Sequence, residues 1–153
     1  MKKFKFTLQT VHNVRQMLQD KESLVLSQLQ AEADQAAARV THIEQMRLLA
    51  IDDYVLRLNN GEQMSPVEME LNSNHFASLN RLQQEAERTL AQKNQACRRQ
   101  GEKVAAAMRE VKVTDRLREN QLARHESEFI RKEQSSVDEM VSSRFARQLS
   151  QPK

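Results

Sequence analysis

The chain has 153 residues, of which 29% are charged and only 4% are aromatic, and it contains no tryptophan. This composition excludes a thick globular core and favours long helices that bury a narrow apolar seam. A single cysteine, Cys97, excludes an internal disulfide and favours a reducing compartment. The chain has no run of about eighteen apolar residues, which is the length that a membrane-spanning helix needs. We therefore expect a soluble cytoplasmic protein whose net charge of +3 is unevenly distributed.

The first predicted helix spans about residues 7–58. Thr7 is its predicted N-cap, and Phe6 and Val11 occupy the two positions of a hydrophobic staple around it. Apolar residues recur in this helix at an average spacing of roughly 3.6, which predicts a nearly straight helix with a shallow supercoil. The residues of this stripe are Val11, Val14, Leu18, Val25, Leu29, Ala33, Ala36, Val40, Ile43, Ala50 and Tyr54.

Residues 59–65 form the one strong break in the helical pattern. They begin with Asn-Asn-Gly, whose residue types accept the left-handed conformation at a helix C-terminus. Ser65 is the predicted N-cap of the next helix, Pro66 stands at its first position, and Glu68 completes a capping box. The sequence therefore predicts a tight turn between two helices.

The second predicted helix spans about residues 66–149. Because a long helix with a modest apolar face is not stable alone, we expect the two helices to pair antiparallel. The predicted fold is all-α, a single coiled-coil hairpin over residues 1–153, with Val11 opposite Val113. The stripe that would face the first helix is Phe76, Leu79, Leu82, Ala86, Leu90, Cys97, Val104, Met108 and Val111.

The second helix is longer than the first and overhangs it in this pairing from about residue 119. Apolar residues continue there without a partner from the first helix. Such a stripe is typical of a binding surface, a self-association surface or a frayed helix end. Its members are Leu122, Phe129, Val137, Met140, Val141, Phe145 and Leu149.

Charge is segregated along the chain. Residues 1–21 carry five basic and one acidic side chain, and residues 88–118 carry nine basic and three acidic ones, whereas residues 22–87 carry four basic and eleven acidic ones. The predicted hairpin brings the two basic segments together at its open end, which favours an acidic partner surface. Nucleic acid is not the expected partner, because no basic run reaches five residues and no aromatic residues alternate with the basic ones.

No catalytic, cofactor or metal site is predicted. The four histidines, His12, His42, His75 and His125, are too far apart in sequence to form a compact ligand motif. Two glycines cannot form a phosphate-binding loop, and a two-helix hairpin offers no deep pocket for a substrate. We therefore expect that the protein is not an enzyme.

Both ends of the chain resemble one protein family. The start, Phe4-x-Phe6-x-Leu8-x-x-Val11-x-x-Val14-Arg15, resembles the amino terminus of FliJ, a small coiled-coil component of the flagellar type III export apparatus. The stretch Arg131-Lys132-Glu133-Gln134-Ser135-Ser136-Val137-Asp138-Glu139-Met140, followed by Arg144 and Arg147, is similar to the carboxy-terminal pattern of that family. The helix–turn–longer helix layout also fits, so the resemblance covers the whole chain.

The resemblance implies a stalk that binds and stimulates the hexameric export ATPase, contacts the cytoplasmic domain of the export gate and binds export chaperones. It places the protein in the cytoplasm, peripheral to the inner membrane through its partners. Phe76 would face the export gate. The residues implied to meet the ATPase are Phe4, Phe6, Phe129, Val137, Asp138, Glu139, Met140, Arg144 and Arg147.

Other functions remain open at this point. The equivalent stalk proteins of virulence-type secretion systems look alike. A generic structural or adapter coiled coil, dimerising through its overhanging helix, is the main alternative, and a basic coiled coil associated with nucleic acid is a second one. Elongated monomers in solution would favour the stalk.

Overall fold

The computed structural model describes residues 4–149, with side chains described to residue 147. Two α-helices, α1 (Gln9–Asn59) and α2 (Pro66–Leu149), pack against each other, and no strand occurs in this range. The predicted all-α fold with a longer second helix is confirmed. Neither helix within these residues is long and apolar enough to cross a membrane. The chain divides into two compact units: unit 1 contains Met1–Gln19 and Ala107–Lys153, and unit 2 contains Asp20–Ala106.

Helix α1 begins two residues later than predicted. The carbonyl of Leu8 accepts the first helical hydrogen bond, from the N–H of His12 at 2.9 Å, so Leu8 occupies the N-cap position. Thr7 is therefore not the N-cap. Its hydroxyl instead lies 3.5 Å from Oε1 of Gln121 in α2. The prediction failed because the threonine finds a tertiary partner instead of a local one.

The end of α1 is closed by a Schellman motif. The N–H of Glu62 donates to the carbonyl of Arg57 at 3.2 Å, and the N–H of Gly61 donates to that of Leu58 at 3.1 Å. Gly61 has a φ of 71°, as the left-handed position of this motif requires. The Arg57 side chain donates to Glu62 at 2.9 Å, and this hydrogen bond raises the pKa of the guanidinium. The predicted left-handed cap is confirmed.

Helix α2 begins with the predicted capping box. The N–H of Ser65 donates to Oε2 of Glu68 at 2.8 Å, and the N–H of Glu68 donates to Oγ of Ser65 at 3.3 Å. These two bonds satisfy amide groups that have no partner inside the helix. The backbone bond from Ser65, followed by the bond to its hydroxyl, lowers the pKa of the Glu68 carboxyl. Pro66 is the first helical residue.

In unit 2 the two helices meet along a seam. The inward-facing residues of each helix follow one another at sequence spacings that alternate strictly between three and four residues. This spacing averages 3.5 residues, which is the period of a left-handed coiled coil and not the straight-helix period predicted from the apolar stripe. Leu82, predicted for the seam, is exposed because Gln83 takes the inward position. The seam residues of α1 are Glu22, Leu26, Leu29, Ala33, Ala36, Val40, Ile43, Arg47, Ala50, Tyr54 and Arg57, and those of α2 are Asn72, Phe76, Leu79, Gln83, Ala86, Leu90, Lys93, Cys97, Gln100 and Val104.

Polar contacts fix the antiparallel pairing of unit 2. Lys93 pairs with Glu32, one residue away from the partner that the predicted register gives. Gln100 is buried and donates to both the backbone carbonyl and the carboxylate of Glu22. Near the turn, Arg47 donates to Asn80 at 3.4 Å, within one helical turn of the predicted register. These polar groups replace apolar contacts in a thin core.

In unit 1 polar residues of α1 occupy the seam. His12, Arg15 and Gln19 point toward α2, and His12 Nδ1 lies 3.0 Å from Oγ1 of the buried Thr114. Arg15 pairs with the Glu110 carboxylate at 2.9 Å and donates to the Glu110 carbonyl at 3.0 Å. The predicted seam residues of this segment, Val11, Val14 and Leu18, are instead exposed, and so is Met108 in α2.

Candidate partner-binding surfaces

The amino-terminal segment extends the pairing of unit 1 beyond the start of α1. Phe4 is half-buried and stacks edge-on against His125, with ring centroids 5.7 Å apart and an interplanar angle of 64°. Phe6 is only 7% exposed and belongs to the core. Of the two phenylalanines predicted to meet a partner, only Phe4 thus presents part of its ring. Pairing of the amino-terminal segment with α2 reaches His125.

Residues 126–149 of α2 form what we call the overhang. All side chains from residue 131 to residue 147 are exposed. In unit 1 the inward-facing residues of α2 are alternately three and four residues apart. Continuing this spacing into the overhang gives only polar residues. These are Glu128, Lys132, Ser135, Glu139 and Ser142. Contacts with the amino-terminal segment reach His125, and every side chain from residue 130 to residue 147 is exposed, so the seam does not continue along the overhang.

The apolar residues of the overhang lie on a different side of α2. Ile130 and Val137 are seven residues apart and share one helix face, which is roughly opposite to the polar seam positions. We call this set the overhang stripe: Phe129, Ile130, Val137, Met140, Val141 and Phe145. Its members from Ile130 onward are 49–64% exposed. The stripe is therefore not a continuation of the seam, as the sequence suggested, but a second apolar surface.

The predicted ATPase-contact residues divide between the two sides of the overhang. Arg144 lies seven residues after Val137, and Arg147 lies seven after Met140, so both arginines share the face of the overhang stripe. Glu139 lies on the seam side instead, and Asp138, seven residues before Phe145, lies between the two sides. Both acids line a shallow polar groove together with Arg131, Gln134, Ser135 and Ser142. A partner helix or loop packed on the stripe would contact the two arginines and not Glu139.

A second candidate surface lies in unit 2 around Phe76. The ring of Phe76 packs edge-on against Tyr54 of α1, with centroids 5.9 Å apart and an interplanar angle of 88°. Shallow grooves run on both sides of this pair. One is lined by Arg47, Ile51 and Asn80 as well, and the other by Met69, Asn72, Ser73, Ala77 and Asn80. Sequence reasoning named Phe76 alone, because Arg47, Ile51 and Tyr54 come from the other helix and join it only through the register.

A model of the family described as Flagellar FliJ protein matches residues 4–150, which is nearly the whole chain. The chain belongs to the FliJ family. Membership connects it with flagellar protein export and with a family of non-catalytic, helical coiled-coil components. Comparisons with curated proteins and with solved structures gave no match.

Proposed function

We propose that this protein is a non-catalytic stalk of the flagellar type III export apparatus. The overhang stripe, together with Phe4, Arg144 and Arg147, binds the hexameric export ATPase and stimulates it. The protein then acts at the cytoplasmic face of the inner membrane, held there by its partners. Export chaperones belong to the same proposal, but no surface of this chain is assigned to them.

The observation that carries this proposal is the exposed apolar surface of the overhang. Every side chain from residue 130 to residue 147 is exposed, and five of them are large apolar side chains at least 49% exposed. Burying each such side chain stabilises a complex by about 1.5–3 kcal/mol before the costs of association. Two arginines on the same face supply charge that would pair with carboxylates of a partner.

The export gate is the second proposed partner, through the grooves around Tyr54 and Phe76. The two rings give a rigid aromatic surface, and Ile51 adds an aliphatic edge. Rigid aromatic side chains with polar neighbours are typical of the residues that contribute most to protein interfaces. The Phe76→Ala variant should weaken binding of the gate's cytoplasmic domain, with Leu82→Ala on an exposed face as the matched control.

The ATPase part is tested by deleting residues 128–153. The deletion leaves every contact between α1 and α2 described above, so the circular dichroism per residue should remain that of a helical protein. We expect that the shortened chain no longer stimulates the cognate ATPase. Stimulation equal to that of the full chain would refute the assignment of the ATPase site to the overhang.

The competing adapter function predicts self-association through the overhang. Sedimentation of the full chain separates the two functions. A monomer over a wide concentration range agrees with the stalk, whereas a dimer that the deletion dissociates would favour the adapter.

A further inference from the structure

Five exposed branched side chains of unit 1 belong neither to the seam nor to the overhang stripe. We call this set the lateral face: Val11, Val14 and Leu18 of α1, and Val113 and Leu117 of α2. Their exposed fractions are 42%, 51%, 50%, 51% and 41%. An exposed aliphatic residue is ordinary by itself, so the significance of this set depends on whether its members lie together.

The seam geometry places all five on one side of the helix pair. Val11, Val14 and Leu18 each precede a seam residue of α1 by one position, namely His12, Arg15 and Gln19. Val113 and Leu117 likewise precede the seam positions of α2 at residues 114 and 118. In an antiparallel pair the two helices are related by a twofold axis perpendicular to both. Residues that precede the seam in either helix therefore lie on the same side.

The opposite side of unit 1 has a different composition. The residues that follow the seam positions of α1 are Asn13 and Gln16, and those that follow the seam positions 111, 114 and 118 of α2 are Lys112, Asp115 and Glu119. Met108 and Leu122 are the exposed apolar exceptions on that side. A solvated coiled coil needs no such asymmetry, so one side of unit 1 has the apolar surface that a third helix would bury.

The charges near the lateral face indicate the chemistry of its occupant. Arg124, seven residues after Leu117, is exposed on this side of α2. The nearest carboxylate on this side of α2 is that of Glu110, which precedes the seam position at residue 111. It already pairs with Arg15 at 2.9 Å. The rim is therefore positive, and a helix with carboxylates beside its apolar residues would complement it.

A second copy of this chain fits the lateral face poorly. Two lateral faces packed together would bring the Arg124 side chains of the two copies into proximity. The overhang stripe of another copy carries Arg144 and Arg147, which would also meet Arg124. Like charges across an interface weaken it, so the charge pattern favours a different protein.

We propose that the lateral face of unit 1 docks a short amphipathic helix of another protein, apolar on one side and flanked by carboxylates, to form a local three-helix bundle. Val11 and Leu18 are seven residues apart and so span about 10 Å, so three turns of partner helix cover the surface. The site is separate from the overhang stripe and does not depend on its assignment to the ATPase.

The test uses the full chain and a fluorescein-labelled peptide of about eighteen residues, with leucines on one helix face and glutamates on both flanks. Fluorescence anisotropy should show binding, and the double variant Val14→Ser/Val113→Ser should weaken it at least tenfold. The matched control is Val55→Ser/Val67→Ser, which changes the same residue type at exposed positions of unit 2, outside every proposed binding surface, and should leave binding unchanged. A peptide with lysines in place of the glutamates should bind at least tenfold more weakly.

Several outcomes would overturn the proposal. They are no binding of the glutamate peptide, equal binding of the lysine peptide, and equal binding by the Val14→Ser/Val113→Ser variant. Sedimentation gives a further one: a dimer of the full chain that this variant dissociates would make the lateral face a self-association surface. Circular dichroism of each variant should equal that of the parent, because all four valines are exposed.

Discussion

His12 Nδ1 lies 3.0 Å from Thr114 Oγ1 inside the seam of unit 1, where Thr114 is only 1% exposed. The threonine hydroxyl donates to the carbonyl of Val111 at 2.7 Å, so its oxygen accepts the hydrogen bond from the histidine ring. We predict that Thr114→Val, which keeps the shape but removes the acceptor, lowers the free energy of unfolding by about 1–3 kcal/mol. Urea denaturation followed by circular dichroism measures the loss.

The double variant His12→Leu/Thr114→Val is the control for this pair. Replacing both partners by apolar residues leaves no buried donor without an acceptor, so the double variant should be more stable than Thr114→Val alone. If the two substitutions were simply additive, the hydrogen bond would contribute nothing to the pairing of unit 1.

The two glycines should respond to alanine in opposite directions. Gly61 has a φ of 71°, and Gly61→Ala should destabilise the protein by about 1–2 kcal/mol through backbone strain. Gly101 lies inside α2, and a Cβ there would meet nothing within 4 Å. Gly101→Ala should therefore stabilise the protein by up to about 1 kcal/mol, since alanine is the better helix former. Thermal unfolding of both variants tests the contrast.

The capping box makes the stability of unit 2 depend on pH. Hydrogen bonds from the Ser65 backbone and then from its hydroxyl lower the pKa of Glu68 below the ordinary value of 4.5. The unfolded chain therefore binds the proton more readily, so the stabilisation is present above pH 4.5 and is lost as the pH falls through the lowered value. Glu68→Gln should be less stable than the parent at pH 7, and the difference should shrink as the pH falls below 4.5. A difference that stays constant with pH would exclude this role of the carboxylate.

The turn was predictable in detail because its chemistry is local. Gly61 is required by its positive φ, and Ser65 and Glu68 satisfy each other's amide groups without any tertiary partner. Such signals depend on residues fewer than five positions apart. The same holds for the start of α2 at Pro66, whereas Thr7 failed as an N-cap once Gln121 of the distant helix was available to it.

The seam of unit 1 was mispredicted because two rows of residues compete there. The row of Val11, Val14 and Leu18 is more hydrophobic than the row that faces α2. A single stripe that includes both this row and the apolar residues of α1 in unit 2 needs an average spacing near 3.6 residues. The observed 3.5 spacing instead reaches Gln19, Arg15 and His12. Those residues are acceptable inside because Glu110 and Thr114 satisfy two of them. This compensation depends on residues about a hundred positions away and is not visible in either helix alone.

The overhang offers the sharpest prediction about the ATPase site, because its two sides carry different predicted residues. Val137 and Met140 lie on the overhang stripe, whereas Asp138 and Glu139 line the polar groove. If the stripe is the contact surface, Val137→Ser/Met140→Ser should raise the stalk concentration needed for half-maximal ATPase stimulation at least tenfold. Glu139→Gln, on the seam side, is the control and should change it less than twofold. The reverse result would assign binding to the polar groove and would require the partner to approach from the seam side of α2.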